Sequence, residues 1–192
     1  GEGDRFIGLT VPAQRVVAKI FQALPLAEVA RLLASPIHEH RFTALEILVM
    51  QFEAGTAAVR QDVYRFYRSH TAGINNWDLV DTSASYIVGA HLLERSRKPA
   101  YALVASDSLW ERRIGIVASH RWIAAGDTKD AYALAARLLL QAGGDEGFRR
   151  GHGGQQVERQ LHRVVAIGQG LVFGKFSGKT MVIAVSAQIV LL

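Results

Sequence analysis

Apolar side chains recur every three or four positions through the first 143 residues, the period of helices that bury one stripe. Residues 11–24, VPAQRVVAKIFQAL, predict a first helix. Pro12 suits its first turn, and Val16, Val17, Ile20, Phe21 and Leu24 form the stripe expected to face inward. Pro25 ends it, and residues 26–35 repeat the pattern more briefly. Ser35 and Pro36 restart the chain into a strongly apolar helix that closes at Gly55. Residues 57–70 predict the next, with Val59, Val63, Phe66 and Tyr67 inward and Gly73 as its stop. A fifth helix starts in INNWDLVD, residues 74–81, and runs to Ser96; Lys98 and Pro99 separate it from a short stretch at 100–106. SLWERRIGIVASHRWIAAG, 108–126, and TKDAYALAARLLLQAGG, 128–144, complete the set.

These helices pair through short turns. The pairs that begin near residues 37, 75 and 108 are spaced by about 35–40 residues, within the range of helical repeat arrays. The letters themselves repeat poorly. The expected fold is all-α, a HEAT-like repeat α-solenoid of antiparallel helix pairs, with an antiparallel bundle as the rival. The pattern breaks after Gly143. GGDEGFRRGHGGQQ is polar and glycine-rich, and the closing stretches are dominated by Val, Ile and Phe. Residues 1–143 are therefore read as one helical repeat domain. Residues 144–192 are read as an atypical Gly-rich and apolar tail, either disordered or β-like.

Composition narrows the function classes. The 192 residues hold no cysteine, so disulfides, thiolate metal sites and cysteine nucleophiles are excluded. Net charge is +5, which suits a polyanionic partner. Residues 1–143 carry 16 Lys and Arg against 14 Asp and Glu, so any nucleic-acid surface there must come from local clustering. The apolar end TMVIAVSAQIVLL is 13 residues, short of the roughly 20 that a membrane span needs. No membrane association is expected, and no secretory signal stands at the front.

Candidate chemistry gathers in two stretches. In INNWDLVD, Asn75 or Asn76 can cap the helix and Asp78 favours its dipole. Asp81 lies a turn further in, on the face of Trp77. A carboxylate beside an indole can hold a cation between them, although spacing alone favours a structural reading. In SLWERRIG, Ser108 and Glu111 form a capping box, Trp110 packs, and Arg112 and Arg113 diverge, so one of them can face the concave side and hold phosphate, although spacing alone favours a solvated pair. His38 and His40 are two apart, wrong for one helix face, and are read as a helix start with local hydrogen bonds rather than a metal site. GKFSGKT, 174–180, misses the phosphate-loop spacing by one residue. His120, His152 and His162 have no ligand spacing, and SAS at 83–85 has no histidine to support a nucleophile. No metal and no cofactor are expected.

Taken together, GEGDRFIGLTVPAQRVVAKI, SPIHEHRFTALEILV, INNWDLVDTSASYIVGAHLL and SLWERRIGIVASHRWIAAGDTKDAYALAARLLL resemble the AlkD-like family of DNA alkylation repair glycosylases. The resemblance spans most of the chain, and its specificity lies in the ordered set. It implies a HEAT-like solenoid acting in base excision repair, a cytoplasmic monomer whose partner is double-stranded DNA carrying alkylated purines. The implied activity is hydrolysis of the N-glycosidic bond of N3- and N7-alkylated purines. The family's W-D-x-V-D motif falls on Trp77 and Asp81, which implies that these are the catalytic pair. The basic residue of its W-x-x-R helix start falls on Arg113, implying a contact to the DNA backbone.

Two departures temper the implication. The family continues with helical repeats, one of which supplies a second tryptophan to the site, whereas this chain's tryptophans are Trp77, Trp110 and Trp122 only. The family also has helices before the stretch matched by GEGD. The chain is thus expected to be incomplete at both ends, with a tail from an aberrant or chimaeric reading. The alternatives to the enzyme are a non-catalytic HEAT-like DNA-binding module and an inactive family fragment.

Overall fold

The computed structural model describes residues 3–144. The Gly-rich and apolar stretch, with His152, His162 and the 174–180 motif, lies outside the described residues. Among the described residues the chain is all-helical apart from an isolated bridge between Arg5 and Ile37. The order is α1 (Val11–Ile20), α2 (Leu26–Leu33), α3 (His38–Ala54), α4 (Ala57–Ser69), a 3-10 turn (Thr71–Gly73) and α5 (Trp77–Ala84). A π turn (Ser85–Gly89) joins α5 to the short α6 (Ala90–Leu92), and α7 (Lys98–Val104), α8 (Leu109–Ala124) and α9 (Lys129–Gly144) follow.

The helices form layers. α3 packs on α5, and α5 with its π turn packs on α8, giving a central row. α1 and α2 lie against α3; α4 covers α3 and the π turn; α7 and α9 cover α8. Side-chain meetings show that the row runs one way. The start of α3 meets the start of α5 through His38 and Asp78. Thr71, just before α5, meets Glu111 in the first turn of α8. At the other end, the Phe52 and His91 rings lie 6.5 Å apart, joining the end of α3 to α6. Helices that are parallel, and that start 39 and 32 residues apart, are the equivalent members of successive repeats.

Burial explains the row. α3 and α8 bury residues around most of their circumference, as helices packed on both faces must. Phe42, Leu45, Ile47, Leu48 and Phe52 are buried on α3, and Ile114, Ile116, Val117 and Trp122 on α8. The π turn approaches α8 closely at Gly89, where an added Cβ would collide with the Ala118 carbonyl oxygen. The Trp122 indole N–H donates to the Gly89 carbonyl at 2.8 Å, a carbonyl made available beside the widened π turn.

α1 departs from its sequence pattern. Its buried residues are Gln14 and Ala18, while Val16, Ile20 and Phe21 are 60, 70 and 53% exposed. The small Ala18 lets α1 sit close on α3, and the larger apolar stripe is left on the outside of the array. Helix ends otherwise follow the expected signals: Thr56 and Ser108 accept the backbone N–H groups of Val59 and Glu111. Among the described residues no helix is long and apolar enough to cross a membrane.

Candidate functional site at the helix starts

The site is built at the end of the row where α3, α5 and α8 begin. The positive ends of three helix dipoles gather there. Local sequence fixes the start of α5. Asn76 is its N-cap, with Oδ1 accepting from Trp77 N at 2.7 Å. Asp78 Oδ1 accepts from Leu79 N at 2.8 Å. The inner face holds Leu79, Val80, Ser83 and Ala84. Ser83 Oγ donates to the Leu79 carbonyl at 2.6 Å and lies 2.9 Å from the Tyr67 hydroxyl. Burial first, then the Asp81 charge, pushes the Tyr67 hydroxyl well above its ordinary pKa, against the pull of Ser83. Anchored on that side, the helix turns Trp77 and Asp81 outward one turn apart.

Trp77 is 61% exposed, the largest apolar side chain on this part of the surface. Asp81 faces α8, where Arg113 meets it through both arms of its fork: Nε to Oδ1 at 3.0 Å and Nη2 to Oδ2 at 2.7 Å. The guanidinium is 13% exposed and the carboxylate 40%, so the carboxylate is the open member of the pair. His120 lies two turns along α8 from Arg113. Burial, aided by the Arg113 charge, holds it below the ordinary histidine range, against the opposing pull of Asp81. The sequence-expected residues Trp77, Asp81 and Arg113 are thus brought into one place, with Asp81 and Arg113 in direct contact. Arg112 diverges as its position requires and donates to the Ser106 and Asp107 carbonyls.

Behind this surface is a buried polar network that sequence reasoning missed. Asp4 sits at its centre with 3% of its side chain exposed. Its oxygens meet the Arg41 guanidinium, the Asn76 amide at 2.8 Å and His38 Nδ1 at 3.2 Å. The other ring nitrogen of His38, Nε2, lies 2.7 Å from Asp78 Oδ2. Arg41 also donates to Asn75 Oδ1 at 2.7 Å. Burial alone would raise the Asp4 pKa; hydrogen bonds, those from Asn76 and Arg41 among them, and the Arg41 charge hold the carboxyl well below the usual range.

This corrects one expectation. His38 does not make local hydrogen bonds; it ties residues 34 and 40 positions away, and only His40 bonds locally, to Ser35 at 3.0 Å. Of the two asparagines either of which could cap α5, Asn76 does so and Asn75 serves Arg41. Asp78 divides between its own helix and His38. The signal that could have found the network is the run His38, Glu39, Arg41 at the start of a helix whose following residues are mainly apolar, where charged side chains are buried and need distant partners.

The α8 start also differs in detail from a reciprocal capping box. Ser108 Oγ accepts from Glu111 N at 3.4 Å, but the Glu111 carboxylate takes the Ser106 and Thr71 hydroxyls, at 2.6 and 2.7 Å. Ser106 Oγ in turn accepts from Ser108 N. Glu111 therefore ties the α5 approach to the start of α8, which sets how Arg113 meets Asp81. The Ser106 and Thr71 hydroxyls outweigh burial and hold the Glu111 carboxyl below its ordinary range.

Such a surface offers a carboxylate open to a cation, a free aromatic face one turn away and a guanidinium able to take an anion in place of the carboxylate. Comparison with curated proteins and with solved structures returned no match. The family model described as DNA alkylation repair enzyme matches residues 1–143, the helical array and every site residue named above. The chain belongs to the DNA alkylation repair enzyme family.

Proposed function

We propose that the chain is a DNA glycosylase that hydrolyses the N-glycosidic bond of N3- or N7-alkylated purines in duplex DNA. The carrying observation is the outward Asp81 carboxylate with the exposed Trp77 one turn before it and Arg113 against it. An alkylated N3 or N7 purine already bears positive charge. When the bond from the base nitrogen to C1′ breaks, its electron pair neutralises that base, so little general acid is needed. The charge then lies on an oxocarbenium-like sugar. Ionised Asp81 stabilises the sugar cation and orients the water that adds to C1′ and loses a proton to solvent, and the Trp77 face adds cation–π attraction. Arg113 holds a backbone phosphate near the lesion, through the bidentate geometry it uses on Asp81. Phosphate contacts of this kind position a duplex without reading its bases. No metal and no cofactor enter the scheme. The domain is residues 1–143, and its substrate is bound as a monomer.

One observation favours a second reading, a DNA-binding module without catalysis: Asp81 is already compensated by Arg113 in the free protein. The two readings part on one experiment. Methylated duplex DNA is incubated with the chain and with Asp81→Asn, and free N7-methylguanine is measured. Release by the chain that is lost in the variant supports the glycosylase. No release, with salt-sensitive DNA binding intact, leaves the binding module.

A further inference from the structure

A groove of about 680 Å³ opens at the far end of the row, where α3, the π turn, α6 and α8 finish. Its walls come from residues 52–121, so none belongs to α1, α2 or α9. Three guanidiniums line it. Arg60 Nε and Nη2 donate to the Phe52 and Glu53 carbonyls, each at 2.9 Å, and the guanidinium lies 5.7 Å from the Phe52 ring centroid. Arg95 Nη1 donates to the His91 carbonyl at 2.9 Å. Helix-end carbonyls thus hold two of the three in place. Arg60 Nη1, Arg95 Nε and Nη2, and the whole Arg121 guanidinium make no hydrogen bond among the described residues. Glu53 and Glu94 also reach the groove, both exposed, and neither pairs with an arginine among the described residues.

His91 adds a buried polar group. Its ring stacks on Tyr64 at 3.8 Å and meets Phe52 edge-on at 6.5 Å, and the residue is 6% exposed. Its ring nitrogens make no hydrogen bond among the described residues and are not sealed inside the core. Burial, aided by the Arg95 charge, holds it below the ordinary histidine range, so the ring is neutral and has an N–H to give. A polar ring held this firmly without a partner points to a ligand. Guanidinium donors beside a neutral N–H suit the several oxygens of a phosphate. Tyr86, 45% exposed, supplies an aromatic wall for a base or sugar. Arg121 follows Arg113 by eight residues on α8, about 12 Å along its axis, and the major groove of B-DNA is about 12 Å wide. We propose that the groove is a phosphate site beyond the one assigned to Arg113, in which Arg60, Arg95, Arg121 and the His91 N–H grip the phosphate of a nucleotide that lies on Tyr86. Such a phosphate comes from the backbone of the bound duplex or from a free nucleotide. The proposal requires neither the Asp81 chemistry nor the Arg113 contact.

The test uses the full chain, fluorescein-labelled unmethylated duplex DNA and adenosine 5′-monophosphate. Duplex binding is read by anisotropy over a salt series, mononucleotide binding by calorimetry, and the fold of each variant by circular dichroism. With the backbone as source, Arg95→Gln and Arg121→Gln should each weaken duplex binding about 3- to 10-fold and lower the slope of log affinity against log salt by up to about 0.9, the counterion release of one phosphate. Arg31→Gln, the same charge change on α2 outside the groove, should leave that slope alone. His91→Phe keeps the stack on Tyr64 and loses the N–H, so it should weaken the same ligand about threefold with the slope unchanged. With a free nucleotide as source, the parent should bind the mononucleotide, the groove variants should not, and duplex binding should stay as it was. Parent-like binding of both probes by folded Arg95→Gln and Arg121→Gln variants overturns the proposal, as does parent-like binding by a folded His91→Phe variant. An Arg31→Gln effect equal to theirs also overturns it, because the attraction is then diffuse surface charge. An Arg113→Gln variant without effect on duplex binding counts against the Arg113 contact and leaves the groove standing.

Discussion

Asp81→Asn removes one negative charge and leaves a side chain of nearly the same shape, so the variant isolates electrostatics. Two unit charges about 4 Å apart interact by about 1 kcal/mol in bulk water and about 4 kcal/mol at an effective dielectric near 20. The Asp81 side chain is 40% exposed and shares its field with Arg113, which places the proposed stabilisation of a sugar cation between those limits. The expected loss in the chemical step is about 10- to 300-fold. The same substitution should act oppositely on binding. Arg113 is held by Asp81 in the free protein, and a phosphate must compete for the same two N–H groups. A partly exposed ion pair is worth up to about 1 kcal/mol, so freeing Arg113 should tighten DNA binding by up to about fivefold. The assay is single-turnover release of N7-methylguanine at saturating protein, beside anisotropy titrations on methylated duplex over a salt series. A rate within about threefold of the parent, with DNA bound equally well, would refute the electrostatic argument. A fall in both rate and affinity would show instead that Asp81 serves to position Arg113.

Trp77→Ala should separate function from folding. With 61% of the residue exposed, unfolding by urea should shift by less than about 1 kcal/mol, whereas loss of a cation–π contact should slow base release by about 3- to 30-fold. The acid limb of stability should reflect Asp4, Glu39 and Glu111, all with lowered pKa values. A lowered carboxyl pKa contributes stability above its unfolded value near 4 and loses it as pH falls toward the folded value. Denaturation midpoints should therefore drop below about pH 4. Asp4→Asn should cost about 3 kcal/mol at neutral pH, by stranding buried Arg41, and flatten that limb. An acid limb identical to that of the parent would show that Asp4 is not a source of it. Gly89→Ala should cost about 1–3 kcal/mol, because its Cβ meets the backbone carbonyl of Ala118 rather than a yielding side chain. Thermal melting checks it, and an unchanged midpoint would mean that α8 can retreat freely.

What the chain discloses in sequence depends on how far apart the interacting residues lie. Helix starts and stops are local, so Asn76 and Ser108 announce them correctly, and Trp77 and Asp81 share a face because four residues make about one turn. Which way that face points is decided by what the other face buries: Leu79, Val80 and Ser83 against α3, α4 and α8. Periodicity reports a stripe without saying whether a neighbour exists to cover it. Hence α1 misleads, its stripe of Val16, Ile20 and Phe21 lying outward while Gln14 and Ala18 meet α3. Motif likeness located Arg113, but its hold on Asp81 joins residues 32 apart and follows from the register of α5 on α8, which Gly89 and Glu111 help to set. The Asp4 network is more distant still, since Asn76 is 72 residues from its partner. It belongs to the site nonetheless. Asn76 caps α5 with one end of its amide and binds Asp4 with the other, and Asp78 divides between Leu79 and His38. The start of α5, and with it the aim of Trp77, is thus fixed by charges on the N-terminal segment and α3. A change at Asp4 should therefore disturb the proposed chemistry as well as the fold, although Asp4 lies buried behind the surface that would meet DNA.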